Sequence, residues 1–195
     1  ALLLAPLAAP PAADAPKTGV IQRPAFHFTP PAGWMNDPNG LVYHGGEYHL
    51  YYQSFPDDNQ RPIYGEMGDL AGARISWGHA VSRDLVAWQH LPVAIPEEIG
   101  DDRLGAIYSG SAVVDSANRS GLGLDNRPPV VAFYTLMQFG RAASVDGWQP
   151  TTQPVCMAYS TDDGRTFAKY KRNPIVEVND RKFGDPKVLW HEPSK

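Results

Sequence analysis

The sequence predicts an all-β fold built from repeated strand–turn units, and three observations predict it. Gly (18) and Pro (19) are abundant among 195 residues and aromatic residues reach 11%, a composition of many turns and many flat rings. Short apolar or alternating runs are separated along most of the chain by turn-rich segments. No long window carries helical periodicity, and residues 81–91 have room for one helical turn at most.

Taken in order, Ala1–Pro16 reads ALLLAPLAAPPAADAP. Its apolar start is too short to span a bilayer. It looks like the tail of a secretory signal peptide with small residues near a cleavage point, followed by a Pro/Ala linker, and predicts a secreted or periplasmic protein. Residues 1–20 are therefore set apart from a folded part, residues 21–195. A sequon, Asn118-Arg119-Ser120, matters only in a source that glycosylates exported proteins.

Residues 40–53 read as a hairpin. Strands Leu41–His44 and Glu47–Gln53 flank Gly45-Gly46, a pair suited to the positive φ of a tight turn. Alternation along the second strand puts Tyr48, Leu50 and Tyr52 on one face and His49, Tyr51 and Gln53 on the other. An irregular stretch follows to Ser76. Further strands are expected at Trp77–Val81, Ala106–Val114, Val130–Met137, Val155–Tyr159 and Lys187–Trp190. Two segments, Ser82–Trp88 and Ser160–Phe167, each run Ser-x-Asp and then reach an aromatic residue. An Asp or Ser side chain closes such a turn on local backbone amides. The second segment resembles the Asp-box of β-propellers, and the repetition points to propeller blades.

The formal net charge of −4 gives no footprint for nucleic acid or an anionic membrane, and neither is expected as a partner. One cysteine, Cys156, excludes an internal disulfide, and its apolar surroundings mark it as a buried small side chain. No His-Glu-x-x-His pattern, phosphate loop or Gly-x-Ser-x-Gly elbow is present; no metal and no cofactor are expected. The doublets Asp57-Asp58, Asp101-Asp102 and Asp162-Asp163 read as solvated turns.

The strongest chemical signal is Trp34-Met35-Asn36-Asp37-Pro38-Asn39-Gly40. Pro38 fixes its own φ and restricts Asp37, so the carboxylate is held rigidly before a hairpin. Asn36 and Asn39 are placed to bond hydroxyls or to orient that carboxylate. Read from the residues alone, Asp-Pro-Asn-Gly is a common kind of turn, and that reading comes first.

This heptad, with the hairpin GLVYHGGEYHLYYQ, resembles the opening of family-32 glycoside hydrolases: invertases, levanases, inulinases and related fructosyltransferases. Three later segments agree in order. Residues 76–85 resemble the family's WGHAxSxDL stretch, Tyr108-Ser109-Gly110-Ser111-Ala112 its FSGS segment, and Asp185-Pro186-Lys187-Val188 its RDPKV segment. The resemblance implies a five-bladed β-propeller, of which this chain covers roughly the first three blades. It also implies retaining cleavage of terminal β-D-fructofuranosidic bonds in sucrose, inulin or levan.

In the roles the resemblance implies, Asp37 is the nucleophile and Asp185 stabilises the transition state. Asn36, Gln53, Tyr108 and Ser109 contact substrate. Trp77 offers a ring in the same region, and Tyr64 stands in for a family Trp without a clean counterpart. The family's proton donor is a Glu downstream of the Asp185 segment, past Lys195; Glu192 comes too soon to take that role. Gly184 stands where the family has Arg, which removes a bidentate donor beside two carboxylates and implies weaker substrate binding. Residues 57–73 read as an insertion near the pocket rim. Two alternatives remain at this point: fructosyl transfer by the same residues, and a non-catalytic carbohydrate-binding fragment.

Overall fold

The computed structural model describes residues 27–55, 74–100, 103–141, 148–178, 180 and 182–193. Residues 1–20, Tyr64, the 57–73 insertion and the doublets Asp57-Asp58 and Asp101-Asp102 lie outside them. Every regular element described is a strand: β1 (Trp34–His44), β2 (Glu47–Phe55), β3 (Ser76–Ser82), β4 (Gln89–Ile95), β5 (Glu98–Ile99), β6 (Arg103–Val114), β7 (Val130–Arg141), β8 (Trp148–Pro150), β9 (Val155–Ser160) and β10 (Ala168–Lys169).

The strands form two antiparallel meanders. In the first sheet β1, β2, β3 and β4 lie side by side in chain order. In the second the order is β10-β9-β7-β6-β5, with β8 paired to the end of β7. Four consecutive strands running up and down, repeated once, are the unit of a propeller blade. The expected hairpin is β1–β2, and its turn glycines have φ of 60° and 83°.

The two Ser-x-Asp segments occupy the same place in both sheets, between the third main strand and the fourth. In the first, Ser82 Oγ donates to Asp84 Oδ1 at 3.0 Å and accepts the Leu85 N–H, while Asp84 Oδ1 accepts the N–H groups of Val86 and Ala87. In the second, Ser160 Oγ donates to Asp162 Oδ1 at 2.6 Å and accepts the Gly164 N–H, while Asp162 Oδ1 accepts the Thr166 N–H. The same hydrogen-bond scheme closes both turns, so the repeat seen in the sequence is a structural repeat.

One core lies between the sheets. Tyr51, Trp77 and Ile95 of the first pack with Ile107, Ala112, Ala132, Tyr134, Cys156 and Ala158 of the second. Tyr51 meets Phe167, the aromatic of the second turn, edge to face at 5.4 Å. Cys156 is buried there as expected, and burial pushes its thiol up to about 12.

Three expectations are adjusted. Residues 81–91, with room for one helical turn at most, hold none; they form the Ser82–Asp84 turn and then β4, to which the sequence reading gave no bounds. β1 begins at Trp34, so the Asp37 motif is part of the strand and not a turn before it. Lys187–Trp190 is not a strand; its Val188 N–H bonds the Ser111 hydroxyl and not a neighbouring strand's backbone. Past β10 the described residues contribute an isolated Val155–Val176 bridge and no further strand.

Candidate active site

β1 and β6, the first long strands of their sheets, face each other, and the acidic site lies between them. Asp37 sits on β1 where its pairing with β2 is irregular, with register shifts between Met35 and Pro38 and between Asn39 and Val42. The irregularity turns Asp37 outward, and its side chain is exposed. Gly40 closes this stretch at φ 53°; a Cβ there would come within 2.8 Å of the Tyr51 ring and 3.1 Å of Ala112, so only glycine brings β1 this close to the core.

Beneath the exposed carboxylate, two buried side chains, Ser109 and Gln53, lead to Asn36 at the surface. Ser109 Oγ donates to Asp37 Oδ2 at 2.6 Å. Gln53 Nε2 donates to Ser109 Oγ at 2.9 Å, and Asn36 Nδ2 reaches Gln53 Oε1 at 3.4 Å. Gln53 is 3% exposed and Ser109 8% exposed, so the polar groups that aim the carboxylate are shielded while the carboxylate itself meets solvent. Hydrogen bonds to an ionised acceptor are the stronger kind, and this one fixes one carboxylate oxygen. Four residues singled out from the sequence, Asn36, Asp37, Gln53 and Ser109, are thus brought into one hydrogen-bonded set.

Tyr108 precedes Ser109 and is largely covered; burial pushes its phenol up to about 12, so it stays a neutral hydroxyl. Its carbonyl oxygen accepts the indole N–H of Trp77 at 3.0 Å. Trp77 is 0% exposed, with its ring against Tyr51 and Tyr134. The expectation of Trp77 as a substrate contact is corrected here: its ring belongs to the core, and its N–H holds the backbone of the Tyr108–Ser109 step.

The second acidic segment docks on the same sheet. Asp185 adopts φ 54°, a left-handed conformation that costs roughly 1–2 kcal/mol in a non-glycine residue. Its N–H donates to Thr135 Oγ1 at 2.8 Å. On either side of Lys187, Ser111 Oγ donates to the Pro186 carbonyl at 2.8 Å and accepts the Val188 N–H at 3.0 Å. Ser109 and Ser111, on one strand, therefore secure both acidic segments. Ser111 and Thr135 were not foreseen as site residues, since a Ser or Thr on a strand has no local signal for a partner some fifty or more positions away. Among the described residues no group of three or more His, Cys, Asp or Glu side chains is placed to hold a metal ion. No helix of the described residues is long and apolar enough to cross a membrane.

Residues 27–195 match the glycosyl hydrolases family 32 N-terminal domain. The chain belongs to glycoside hydrolase family 32. Within family 32 it is 47% identical over 174 residues to a levanase of Bacillus subtilis, covering 89% of this chain and 22% of the levanase. It is 40% identical over 184 residues to an extracellular exo-inulinase of Aspergillus awamori, covering 89% of this chain and 32% of that protein. Its fold superposes with a TM-score of 0.69 on the β-fructofuranosidase of Schwanniomyces occidentalis complexed with fructosyl-erythritol, at 40% identity over 88% of this chain and 30% of that one. The chain thus spans between 22% and 32% of the length of these family-32 proteins, and its two sheets are part of the family's propeller.

The family Arg position, Gly184, lies against Thr135. A Cβ at Gly184 would sit 3.0 Å from Thr135 Oγ1 and 3.5 Å from Gln153 Oε1, so a side chain there would need Thr135 to shift by a few tenths of an ångström.

Proposed function

We propose that the protein containing this chain is a β-fructofuranosidase that hydrolyses terminal β-D-fructofuranosidic bonds of sucrose or a fructan with retention of configuration. The observation that carries this reading is the exposed Asp37 carboxylate, oriented from below by the buried Ser109 and Gln53, with Asn36 bonded to Gln53.

Glycoside cleavage with retention needs a carboxylate nucleophile and a protonated acid about 5–5.5 Å apart. With Oδ2 held by Ser109, Oδ1 of Asp37 is the oxygen we assign the attack on the anomeric carbon. The new ester bond forms as the bond to the leaving sugar oxygen breaks, and that oxygen takes a proton from the acid. Water then attacks the same carbon, gives its proton to the acid's conjugate base, and frees Asp37. The family pattern places that acid, a Glu, downstream of the Asp185 segment and past Lys195. Asp185 is assigned the fructosyl hydroxyls, where its charge gains most as positive charge develops on the ring. By the family pattern Asn36, Gln53, Tyr108 and Ser109 are assigned to substrate binding, and Tyr64 to the role of the family Trp. The partner is a neutral fructoside, and the N-terminal segment, like the extracellular exo-inulinase among its relatives, supports an exported protein.

The test is turnover of sucrose, inulin and levan by the full-length protein and its Asp37→Ala variant, with the anomer of released fructose followed by NMR. The reading predicts fructose first released as the β-anomer by the wild type and a loss of at least roughly 10⁴-fold in kcat for the variant. Release of the α-anomer, or an active Asp37→Ala, contradicts it. Longer oligosaccharides at high sucrose identify the fructosyltransferase alternative instead.

A further inference from the structure

We propose that Asn39 is a positioning residue for the Asp37 carboxylate, its buried amide tying the irregular stretch of β1 to the Ser109–Gly110 step of β6. The inference rests on the assignment of Asp37 as nucleophile and names a residue that acts on it without touching substrate.

Asn39 is 2% exposed, and both ends of its amide are used. Nδ2 donates to the Asp37 carbonyl oxygen at 3.1 Å, and Oδ1 accepts the Gly110 N–H at 3.1 Å. The first partner is an acceptor and the second a donor, so only one orientation of the amide satisfies both. The β1–β2 ladder shifts register on each side of residues 38–39, and Pro38 has no N–H to contribute. Asn39 therefore supplies a restraint on the Asp37 peptide where the ladder is irregular.

Its anchor on the other sheet is rigid. A Cβ at Gly110 would overlap the Phe133 carbonyl oxygen and lie 2.8 Å from the Tyr134 Cα, so the Gly110 backbone is pressed flat on β7. The preceding residue, Ser109, donates to Asp37 Oδ2 at 2.6 Å. The result is a closed ring: Asp37 carbonyl, Asn39 amide, Gly110 N–H, the Ser109 hydroxyl, and back to the Asp37 carboxylate. Ser109 aims the carboxylate; Asn39 holds the backbone that carries it at a set distance from Ser109. Misplacement of a reacting group by about 1 Å is enough to lower a rate on the order of a hundredfold.

The experiment is steady-state kinetics and thermal melting of the full-length protein on whichever of sucrose, inulin or levan the wild type turns over. The variants are Asn39→Asp, Asn39→Ala, Ser109→Ala, the Asn39→Ala/Ser109→Ala double, and Asp37→Ala as reference. Asn39→Asp is nearly isosteric and keeps the acceptor for Gly110 while replacing the donor to Asp37 with an oxygen. The expected result is a cooperative melt for Asn39→Asp, kcat lowered about ten- to a hundredfold in both Asn39 variants, and KM within about threefold of wild type. The double variant should lose less than the product of the two single losses, because both break the same ring.

Wild-type kcat in the folded Asn39 variants, a loss confined to KM, or fully multiplicative losses in the double variant would each overturn the inference. Failure of both Asn39 variants to fold makes Asn39 a structural residue and also overturns it. If Asp37→Ala is as active as wild type, the nucleophile assignment falls and this inference with it. If Asp37→Ala alone is inactive, only this inference fails.

Discussion

Asp37 shows how a single carboxylate becomes a usable nucleophile. It is exposed, yet one of its oxygens is bound by a hydroxyl that is itself held by a buried amide. Ser109→Ala removes the donor and leaves Gln53 Nε2 without that acceptor. A hydrogen bond to a charged group is worth about 1.5–3 kcal/mol, so kcat/KM should fall on the order of ten- to a hundredfold. Full activity in Ser109→Ala would show that the 2.6 Å contact does not orient the carboxylate during turnover. At this scale the sequence was informative where residues act locally. The Asn36–Asp37–Pro38 step, with its amide and its fixed proline, is legible from chemistry and from the family pattern. Trp77 was misread, because a Trp beside a site and a Trp beneath one look alike until burial is known. Ser111 and Thr135 were silent for the reason that their partners lie on a segment brought near only by the fold.

Among the elements, the paired Ser-x-Asp turns are the parts that the chain specifies most directly. Each closes within a few residues, so local sequence suffices and the repeat was readable. β4 was given no bounds because it is exposed along most of its length and so lacks an alternating apolar pattern. Hydrogen bonds from the backbone of Ala87 and Val86 hold the Asp84 carboxyl below its ordinary value. Burial would raise the Asp162 carboxyl, but hydrogen bonds from Ser160 and Thr166 overcome it and hold it below as well. A carboxylate whose folded pKa is depressed adds stability above its unfolded pKa, and that stability is lost as pH falls through the folded value. Asp162→Asn in the full-length protein should therefore lower Tm at neutral pH, and the difference from wild type should shrink below about pH 4. A gap in Tm that is the same at pH 7 and pH 3 would assign the effect to shape and not to charge.

In the molecule as a whole, the seam between the two sheets holds the shared core and a set of buried polar side chains. His49 and His79 lie 3.1 Å apart in this seam, beside the Tyr51 hydroxyl, which donates to the Gly164 carbonyl of the second turn. Arg165, His44, Glu47 and Asp162 are the charged or titratable groups around them. Burial lowers both imidazoles, His79 to about 3. A lowered folded pKa means that the unfolded chain binds the proton first, so stability is full above about pH 6.5 and declines as pH falls from there toward the folded value. The His79 ring signals should not titrate between neutrality and about pH 4 while the fold persists. A midpoint near 6 would mean that the seam is open to water. The all-β class and the repeat of blades were readable from patterning, while the packing of one blade on the other was not, since it depends on residues such as Tyr51 and Phe167 that are more than a hundred positions apart.

The central claim, that Asp37 attacks the anomeric carbon, is tested most directly by rapid acid quench of the full-length protein during turnover of sucrose, followed by peptide mass spectrometry. The account predicts that the peptide containing Asp37 carries one fructosyl unit, and that Asp37→Ala abolishes the adduct. An adduct on another carboxylate, with Asp37 unmodified in an active enzyme, would contradict it.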